Sequence, residues 1–424
     1  MYLNVSKISN FFGSSRQSKI VSFCAIGTML ELYDYVLFAV MLSVISQKFF
    51  PASDPNTSII LGMLTFAISF LFAAFGSIFW GWYGDKFGRQ KMLNLSMAIM
   101  AIPSLTITFL PTYDKIGIFA PIILILARIL QGISASGEIQ GAKIYAMETV
   151  DPKSLGTTAG IMSAAGGVGV MMAMVMGYLS SVSDYENAWR FPFLLGSLIG
   201  YVGIMLRREQ IKAKYEQHTT PKKAKIWDLV GILKQYKYES VAVFSLGAIL
   251  GSVSYMLHAF MNPYMVSLGI SSDKAYLLTI ISLVSTATFS VVSGIYSDMT
   301  SRLVGAMKNN IYAIILVIIP AFMMILSMNI MLIEVACAIL GGLLGVNATM
   351  CGIIMYKSFP YEARCRGVMF LYALSVSIFG GFTPIILKYS ANFDKMMPAY
   401  IMLGITVSML VAFKSAIKKI KLYE

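Results

Sequence analysis

Four ionisable residues lie inside long apolar stretches of the sequence. Glu31 and Asp34 share one stretch, and Arg128 and Glu138 share another. A charge at the middle of a membrane costs roughly 3 kcal/mol on the mildest insertion scale, so the four together oppose insertion by on the order of 10 kcal/mol. Three carboxylates facing one arginine leave acid groups without a counter-charge, and such a group can take up and release a proton. The pattern predicts proton coupling through Glu31, Asp34 and Glu138; the alternative is an ion network that only holds two helices together.

Helical geometry places these residues on two polar faces. Glu31 and Asp34 are three residues apart, which is about 60° around a helix, and Tyr35 extends the same stripe. Arg128, Gln131 and Glu138 fall within about 80° of arc on their own helix. We expect substrate contacts from Arg128, Gln131 and Tyr35 and, in the second half of the chain, from Tyr255 and His258. For His258 a purely structural, buried role is the alternative.

The composition indicates an integral membrane protein. The 424 residues are 57% hydrophobic and 12% charged, with a mean hydropathy of +0.74, whereas a soluble domain has roughly 25% charged residues. Apolar runs of the length that a bilayer core requires recur through the chain, without the alternation of a membrane barrel, and we interpret them as helices. The predicted spans are 20–46, 58–82, 92–111, 117–147, 156–181, 189–206, 240–267, 275–297, 309–328, 331–356, 367–389 and 398–413.

The basic residues predict the orientation of these spans. Of the 33 lysines and arginines, 25 fall on the side of the membrane that holds both termini, and only Arg128 and Lys143 lie well inside spans. This asymmetry predicts cytoplasmic termini and accounts for the net charge of +13 without a nucleic-acid partner. Lys143 is expected to extend toward the membrane surface. The predicted domains are 1–206 and 240–424, two six-helix bundles, joined by a basic cytoplasmic linker over 207–239.

Catalytic chemistry is not expected from this sequence. It has no phosphate-binding glycine loop of the P-loop type, and no metal-ligand cluster or pair of nucleophile and base stands out. We therefore predict that the protein is not an enzyme and uses no cofactor and no metal ion.

A short segment occurs twice, 213 residues apart. Residues 81–91 read GWYGDKFGRQK, and residues 294–302 read GIYSDMTSR. Both follow an apolar run, so the chain is two copies of one unit. The glycines Gly81, Gly84 and Gly88 are expected to permit a tight turn between helices. Four side chains are expected to make contacts at this end of the bundle: Asp85 with the start of helix 11 near Gly367, Arg89 with Glu148, and both Asp298 and Arg302 with helix 5 near Gly156.

The first copy resembles the signature G-x-x-x-D-[RK]-x-G-R-[RK] of the major facilitator superfamily. Further stretches at 27–35, 128–138, 189–193 and 359–367 resemble its metabolite:proton symporters, the branch of the proline/betaine and α-ketoglutarate permeases. The resemblance implies twelve transmembrane helices in two halves, alternating access, and the repeated segments as a conformational latch. It also implies a bacterial cytoplasmic membrane and a functional monomer. Solvated loop charges are the alternative for the latch residues.

The buried charges restrict the expected substrate. One arginine suits one carboxylate, and acidic and aromatic groups such as Tyr33, Tyr35 and Tyr255 suit a cationic amine. A small zwitterion such as proline or betaine, carried together with protons, is therefore favoured. An α-ketoglutarate-like or other organic anion stays open as an alternative substrate, and so does a membrane sensor of the same fold that transports nothing.

Overall fold

The computed structural model describes residues 16–198, 228–300, 302–420 and 422, and these form helices without any strand. Eleven of the helical segments are long and apolar enough to cross a membrane. A further helix begins at Arg190 and includes all described residues up to 198. We label the membrane helices α1 (Arg16–Val40), α2 (Pro55–Phe87), α3 (Arg89–Phe109), α4 (Phe119–Thr149), α5 (Leu155–Ser181), α6 (from Arg190), α7 (Lys237–Ser267), α8 (Ser272–Met299), α9 (Leu303–Leu326), α10 (Ile330–Ser358), α11 (Cys365–Ala391) and α12 (Met397–Ile417).

Three of these helices are interrupted. The chain after α1 breaks at Met41 and resumes as the short helix Leu42–Phe49. In α7 the segment Met256–Phe260 forms a π-helical turn, and α11 begins with another over Cys365–Met369. A second break divides α11 between Phe370–Phe379 and Thr383–Ala391. Such π turns displace side chains from the regular helical register and often occur at functional sites.

The repeated glycine segments are mostly helical, which corrects one expectation. The helix α2 continues to Phe87, so Gly81 and Gly84 lie inside it, and only Gly88, with φ of 98°, makes the turn into α3. Gly81 instead permits close packing: a Cβ atom there would lie 2.9 Å from the Cα atom of Arg366 on α11. The prediction that all three glycines form the turn is therefore wrong for Gly81 and Gly84.

The two halves pack against each other along α5 with α8 and along α2 with α11. At the end of the bundle where α2 meets α3, which we call the basic end, Gly156 on α5 faces Gly294 on α8. A Cβ atom on Gly294 would lie 2.4 Å from the carbonyl oxygen of Gly156, so only glycine allows this approach. Near the middle of the bundle, the Ser377 hydroxyl on α11 donates a hydrogen bond to the Phe70 carbonyl on α2.

The connection between the halves is described from residue 228 onward. It contains a short helix, Leu229–Gln235, whose Leu229 and Ile232 side chains are buried, and α7 begins directly after it at Lys237. Most of the predicted linker, 207–239, and the end of the predicted sixth span lie outside the described residues. The boundaries at 206 and 240 therefore stay predictions.

Candidate functional site

Asp34 and Arg128 are joined indirectly, through Gln131. The Asp34 carboxylate on α1 accepts hydrogen bonds of 2.5 Å from the Gln131 amide on α4 and from the Ser104 hydroxyl on α3. The Arg128 guanidinium donates to the Gln131 amide oxygen and, at 3.0 Å, to the Ser69 hydroxyl on α2. All five side chains are buried. The sequence indicated that buried acids and Arg128 lie in the membrane interior, and the structure adds that an amide, and not a direct ion pair, connects Asp34 with Arg128.

Aromatic rings enclose the rest of the Arg128 guanidinium. Its central carbon lies 4.4 Å from the ring centroid of Phe38, 5.4 Å from that of Tyr35 and 5.6 Å from that of Phe66. Cation–π contacts of this kind compensate part of the cost of burying the charge. The arginine is thus held in a fixed orientation by α1, α2 and α4.

A small cavity of about 50 Å³ lies between the two halves beside this network. Tyr35 and Phe70 line it from the first half, and Tyr255 on α7 packs edge-on against Phe70 with a centroid separation of 5.0 Å. Of the five residues predicted to bind substrate, only Tyr35 and Tyr255 line this cavity. The complete lining is Leu32, Tyr35, Phe70, Ala73, Ala135, Ser136, Ile139, Gln140, Tyr255, Tyr372, Ala373 and Val376.

The remaining predicted site residues are placed around the cavity and not in it. Glu31 lines a separate small cavity with Asp34, next to α3 and α6. Glu138 accepts a hydrogen bond of 3.3 Å from Ser96 on α3. His258 lies in the π turn of α7, and its Nε2 atom has no hydrogen-bond partner among the described residues. Tyr33, expected near the substrate, instead donates to the Pro192 carbonyl on α6.

The first repeated segment makes a buried ion network at the basic end. One Asp85 oxygen accepts from Arg89 at 2.8 Å, and the other accepts from Arg366 on α11 at 2.9 Å. Arg89 also contacts Glu148 at 3.2 Å, and Glu148 is shared with Arg364 at 2.9 Å. The contacts predicted for Asp85 and Arg89 are thus present, and they join α2, α3 and α4 to α11 of the other half.

The segment between α10 and α11 completes this network. The Tyr361 carbonyl accepts a hydrogen bond of 2.9 Å from Arg89, and its ring centroid lies 4.6 Å from the central carbon of the same guanidinium. Burial raises the pKa of the Tyr361 phenol above its usual value, so the ring stays neutral beside these charges.

The second repeated segment makes a different contact. The Asp298 carboxylate on α8 accepts hydrogen bonds from the backbone N–H groups of Gly156 and Thr157, at 2.6 and 2.7 Å, and from the Thr157 hydroxyl at 2.6 Å. It therefore caps the start of α5, as expected from the sequence. Arg302 is exposed, and its side chain has no hydrogen bond or ion pair within the described part of the chain. Of the two residues predicted to contact α5, the described part of the chain thus shows a hydrogen bond to that helix for Asp298 and not for the Arg302 side chain.

Sequence reasoning missed several residues of the site. Gln140 and Tyr372 both line the cavity, and Arg364 and Arg366 supply two of the three guanidinium groups at the basic end. The two arginines stand in the stretch leading into α11, so their spacing before Gly367 could have indicated them. Lys143 was predicted to extend to the membrane surface; this is wrong, because its side chain is buried between α4 and α10.

No group of three or more histidine, cysteine, aspartate or glutamate side chains that could hold a metal ion occurs within the described ranges. The four cysteines are buried free thiols. The polar groups that do converge are hydrogen-bonding and charged groups suited to binding and releasing a small polar molecule or a proton.

Comparisons with known proteins agree with this arrangement. Residues 24–384 match the Major Facilitator Superfamily. The chain is 30% identical to the proline/betaine transporter of Salmonella typhimurium over 414 residues, which is 92% of this chain and 81% of that protein. It is 28% identical to the proline/betaine transporter of Escherichia coli K12 over the same shares.

Solved structures show the same fold. The proton:xylose symporter XylE, bound to 6-bromo-6-deoxy-D-glucose, superimposes with a TM-score of 0.73 at 17% identity, covering 95% of this chain and 96% of XylE. A partially occluded, inward-open conformation of XylE from E. coli gives a TM-score of 0.69 at 16% identity, over 95% of this chain and 98% of that one. The two-half, twelve-helix fold predicted from the sequence is confirmed.

Proposed function

Because the chain belongs to the Major Facilitator Superfamily, we propose that this multi-pass membrane transporter carries a small zwitterion, such as proline or betaine, together with protons. Members of this family are transporters and not enzymes, as the sequence predicted. The proposal extends to the organisation of the protein as a functional monomer in a bacterial cytoplasmic membrane, with the basic end on the cytoplasmic side.

The observation that carries the proton coupling is the environment of Asp34. Its carboxylate is buried in the membrane interior, and its two close contacts come from neutral groups, the Gln131 amide and the Ser104 hydroxyl. The Oδ1 atom has no hydrogen-bond partner among the described residues. A buried carboxylate without a cation in contact is costly, and taking up a proton removes that cost. A proton on Oδ1 would also make that oxygen a hydrogen-bond donor.

The proposed substrate follows from the groups beside this acid. Tyr35 contacts both the cavity and the Arg128 guanidinium, so a molecule in the cavity lies one ring away from a fixed positive charge. The rings of Tyr35, Phe70 and Tyr255 offer faces for a cationic amine. A single arginine suits one carboxylate. These features, and the names of the proline/betaine transporters to which the chain is similar, favour a zwitterion.

The proposed transport cycle uses the two halves as bodies that move relative to each other. The contacts of Asp85 and Asp298 hold the basic end closed, and breaking them would open the cavity on that side. Protonation of Asp34 would change its hydrogen bonds to α3 and α4 and so bias this equilibrium.

Replacing Asp34 with asparagine tests the coupling. We expect Asp34→Asn to abolish proton-driven accumulation of labelled proline or betaine in proteoliposomes, with a plateau at least about tenfold lower, which corresponds to about 1.4 kcal/mol. Exchange between inside and outside substrate should persist, because exchange needs the site but no net proton release. Glu334→Gln, which removes an exposed carboxylate from the end of α10, is the matched control. Normal accumulation by both Asp34→Asn and Glu31→Gln would assign the proton to another group.

A further inference from the structure

Lys143 is a buried cation between the two halves. Its side chain is 8% exposed, although a lysine in a membrane helix normally extends its ammonium to the surface. The end of the side chain lies flat over Gly352 on α10: a Cβ atom at Gly352 would lie 3.6 Å from Cδ and 3.7 Å from Nζ of Lys143. The lysine side chain therefore packs directly against the backbone of α10 at Gly352, with room there for a methyl group and no more.

No anionic side chain of the described residues compensates this charge. Lys143 forms no ion pair within the described ranges, and the titratable group beside Gly352 on α10 is a thiol, Cys351, and not a carboxylate. Glu148, the acid one to two turns further along α4, is held by Arg89 and Arg364. An ammonium without an acceptor in the membrane interior is costly, unless an anion reaches it.

The position of Lys143 is between the cavity and the ion network of the basic end. Gln140, one turn before it on α4, lines the cavity together with Tyr372. Tyr356, one turn after Gly352 on α10, packs under Arg364 with a distance of 4.0 Å from the guanidinium carbon to the ring centroid. A molecule that leaves the cavity through the opened basic end would thus pass Gln140, then Lys143, and then Arg364.

We propose that Lys143 is a carboxylate-binding residue on the exit route, which receives the carboxylate of the substrate after it leaves the cavity. The inference rests on the proposed function for its substrate, a molecule with one carboxylate. The charge of the route supports it. In the ion network of the basic end, three arginines, Arg89, Arg364 and Arg366, face the two acids Asp85 and Glu148, so that this network carries a net positive charge beyond Lys143. Asp228, which reaches Arg366 at 3.9 Å, is about half exposed and screened by water.

A binding experiment with acetate tests the site without any assumption about transport. Purified full-length protein is unfolded thermally at rising sodium acetate concentration, and the same series with neutral acetamide gives the baseline. We expect acetate to raise the unfolding temperature in a saturable way. The apparent affinity for acetate should fall at least about tenfold in Lys143→Gln and should be mostly retained in Lys143→Arg. Lys153→Gln, which removes an exposed lysine from the same end of the bundle, is the matched control and should behave as the parent protein. Equal acetate stabilisation in the parent protein and Lys143→Gln, or none in the parent protein, would overturn the proposal.

A transport experiment then places the residue on the route. We expect Lys143→Gln to bind proline or betaine within about twofold of the parent protein but to transport it at least about tenfold more slowly. Absence of transport by the parent protein would contradict the proposed function and leave the acetate result to decide this site. Unchanged transport by Lys143→Gln would remove Lys143 from the route.

Two glycine variants keep the test decisive if Lys143→Gln does not fold. Gly352→Ala adds a methyl group at ordinary contact distance from Lys143 and should be tolerated. Gly352→Val adds two further carbons where the lysine lies, and we expect it to reduce acetate stabilisation and transport as Lys143→Gln does, although the lysine itself is kept. Parent-like acetate binding by Gly352→Val would contradict the proposed position of the site.

Discussion

The two copies of the repeated segment join the halves at the basic end by different chemistry. Asp85 in the first copy lies between two guanidinium groups in a fully buried ion network. Asp298, at the equivalent position of the second copy, accepts two backbone N–H groups and one hydroxyl at the start of α5. The repeat therefore places an aspartate at the junction of the halves twice, and the helix that each one meets decides whether its partner is a charge or a helix terminus.

The same division extends into the membrane interior. The first half buries Glu31, Asp34, Arg128 and Glu138. The corresponding region of the second half offers neutral groups, among them His258 and a buried Asn347. We infer that the first half supplies the groups that change charge during transport and that the second half supplies a neutral surface against which they move.

Of the substitutions that test this difference between the halves, one at Arg128 is expected to have the largest effect on substrate affinity. Arg128→Lys keeps the charge but loses the planar group that contacts Gln131 and Ser69 together. We expect the affinity for proline or betaine, measured by equilibrium binding to purified protein, to fall at least about tenfold. His258→Gln removes the imidazole from α7 in the second half and should change the affinity for proline or betaine less than about threefold. An affinity within about twofold of the parent protein for Arg128→Lys would instead support a structural role for the arginine.

The core of this site was predictable from the sequence, because a charged side chain inside an apolar membrane helix must face other polar groups and not lipid. Helical spacing was sufficient to place Asp34 on a polar face of α1 and Gln131 on the same arc of α4 as Arg128, and the repeat was sufficient to place Asp85 and Asp298 at the interface. The position of Lys143 was not predictable, because its side chain packs against Gly352, 209 positions away on another helix. Glu138 shares an arc with Arg128 but contacts α3, because helical periodicity fixes an angle and not the identity of the neighbouring helix.

Asp85 and Asp298 are expected to affect the affinity for substrate less than Arg128 does, and Asp298 is expected to affect the opening of the basic end less than Asp85. Asp85→Asn leaves Arg89 and Arg366 facing a neutral amide in a buried site, and breaking a buried ion pair costs about 3 to 5 kcal/mol. Asp298→Asn keeps one acceptor for a backbone N–H and loses the charge at a helix start, which is worth about 0.3 to 2 kcal/mol. Both variants should open the basic end, Asp85→Asn by a factor of ten or more in population, about 1.4 kcal/mol for each factor of ten.

Labelling of a single cysteine measures this opening. Ile139→Cys lines the cavity, and a membrane-impermeant maleimide added from the basic end reaches it only when that end is open. The four native cysteines are replaced in this background. Equal labelling of Asp85→Asn and the parent protein would exclude the latch role of Asp85, and a larger change for Asp298→Asn would reverse the comparison between the two copies.

The smallest expected effect belongs to Arg302, and it tests the repeat itself. The sequence aligns Arg302 with Arg89, yet Arg89 is buried with contacts to Asp85, Glu148 and Tyr361, whereas Arg302 is exposed without a side-chain contact in the described residues. Arg302→Gln should therefore change the labelling of Ile139→Cys by less than about twofold, since exposed substitutions shift an equilibrium by at most about 0.5 kcal/mol. Arg89→Gln, in the same assay, should change it at least about tenfold. A comparable change in both variants would mean that Arg302 finds a partner in the open state, so that the second copy acts when the bundle is open and the first when it is closed.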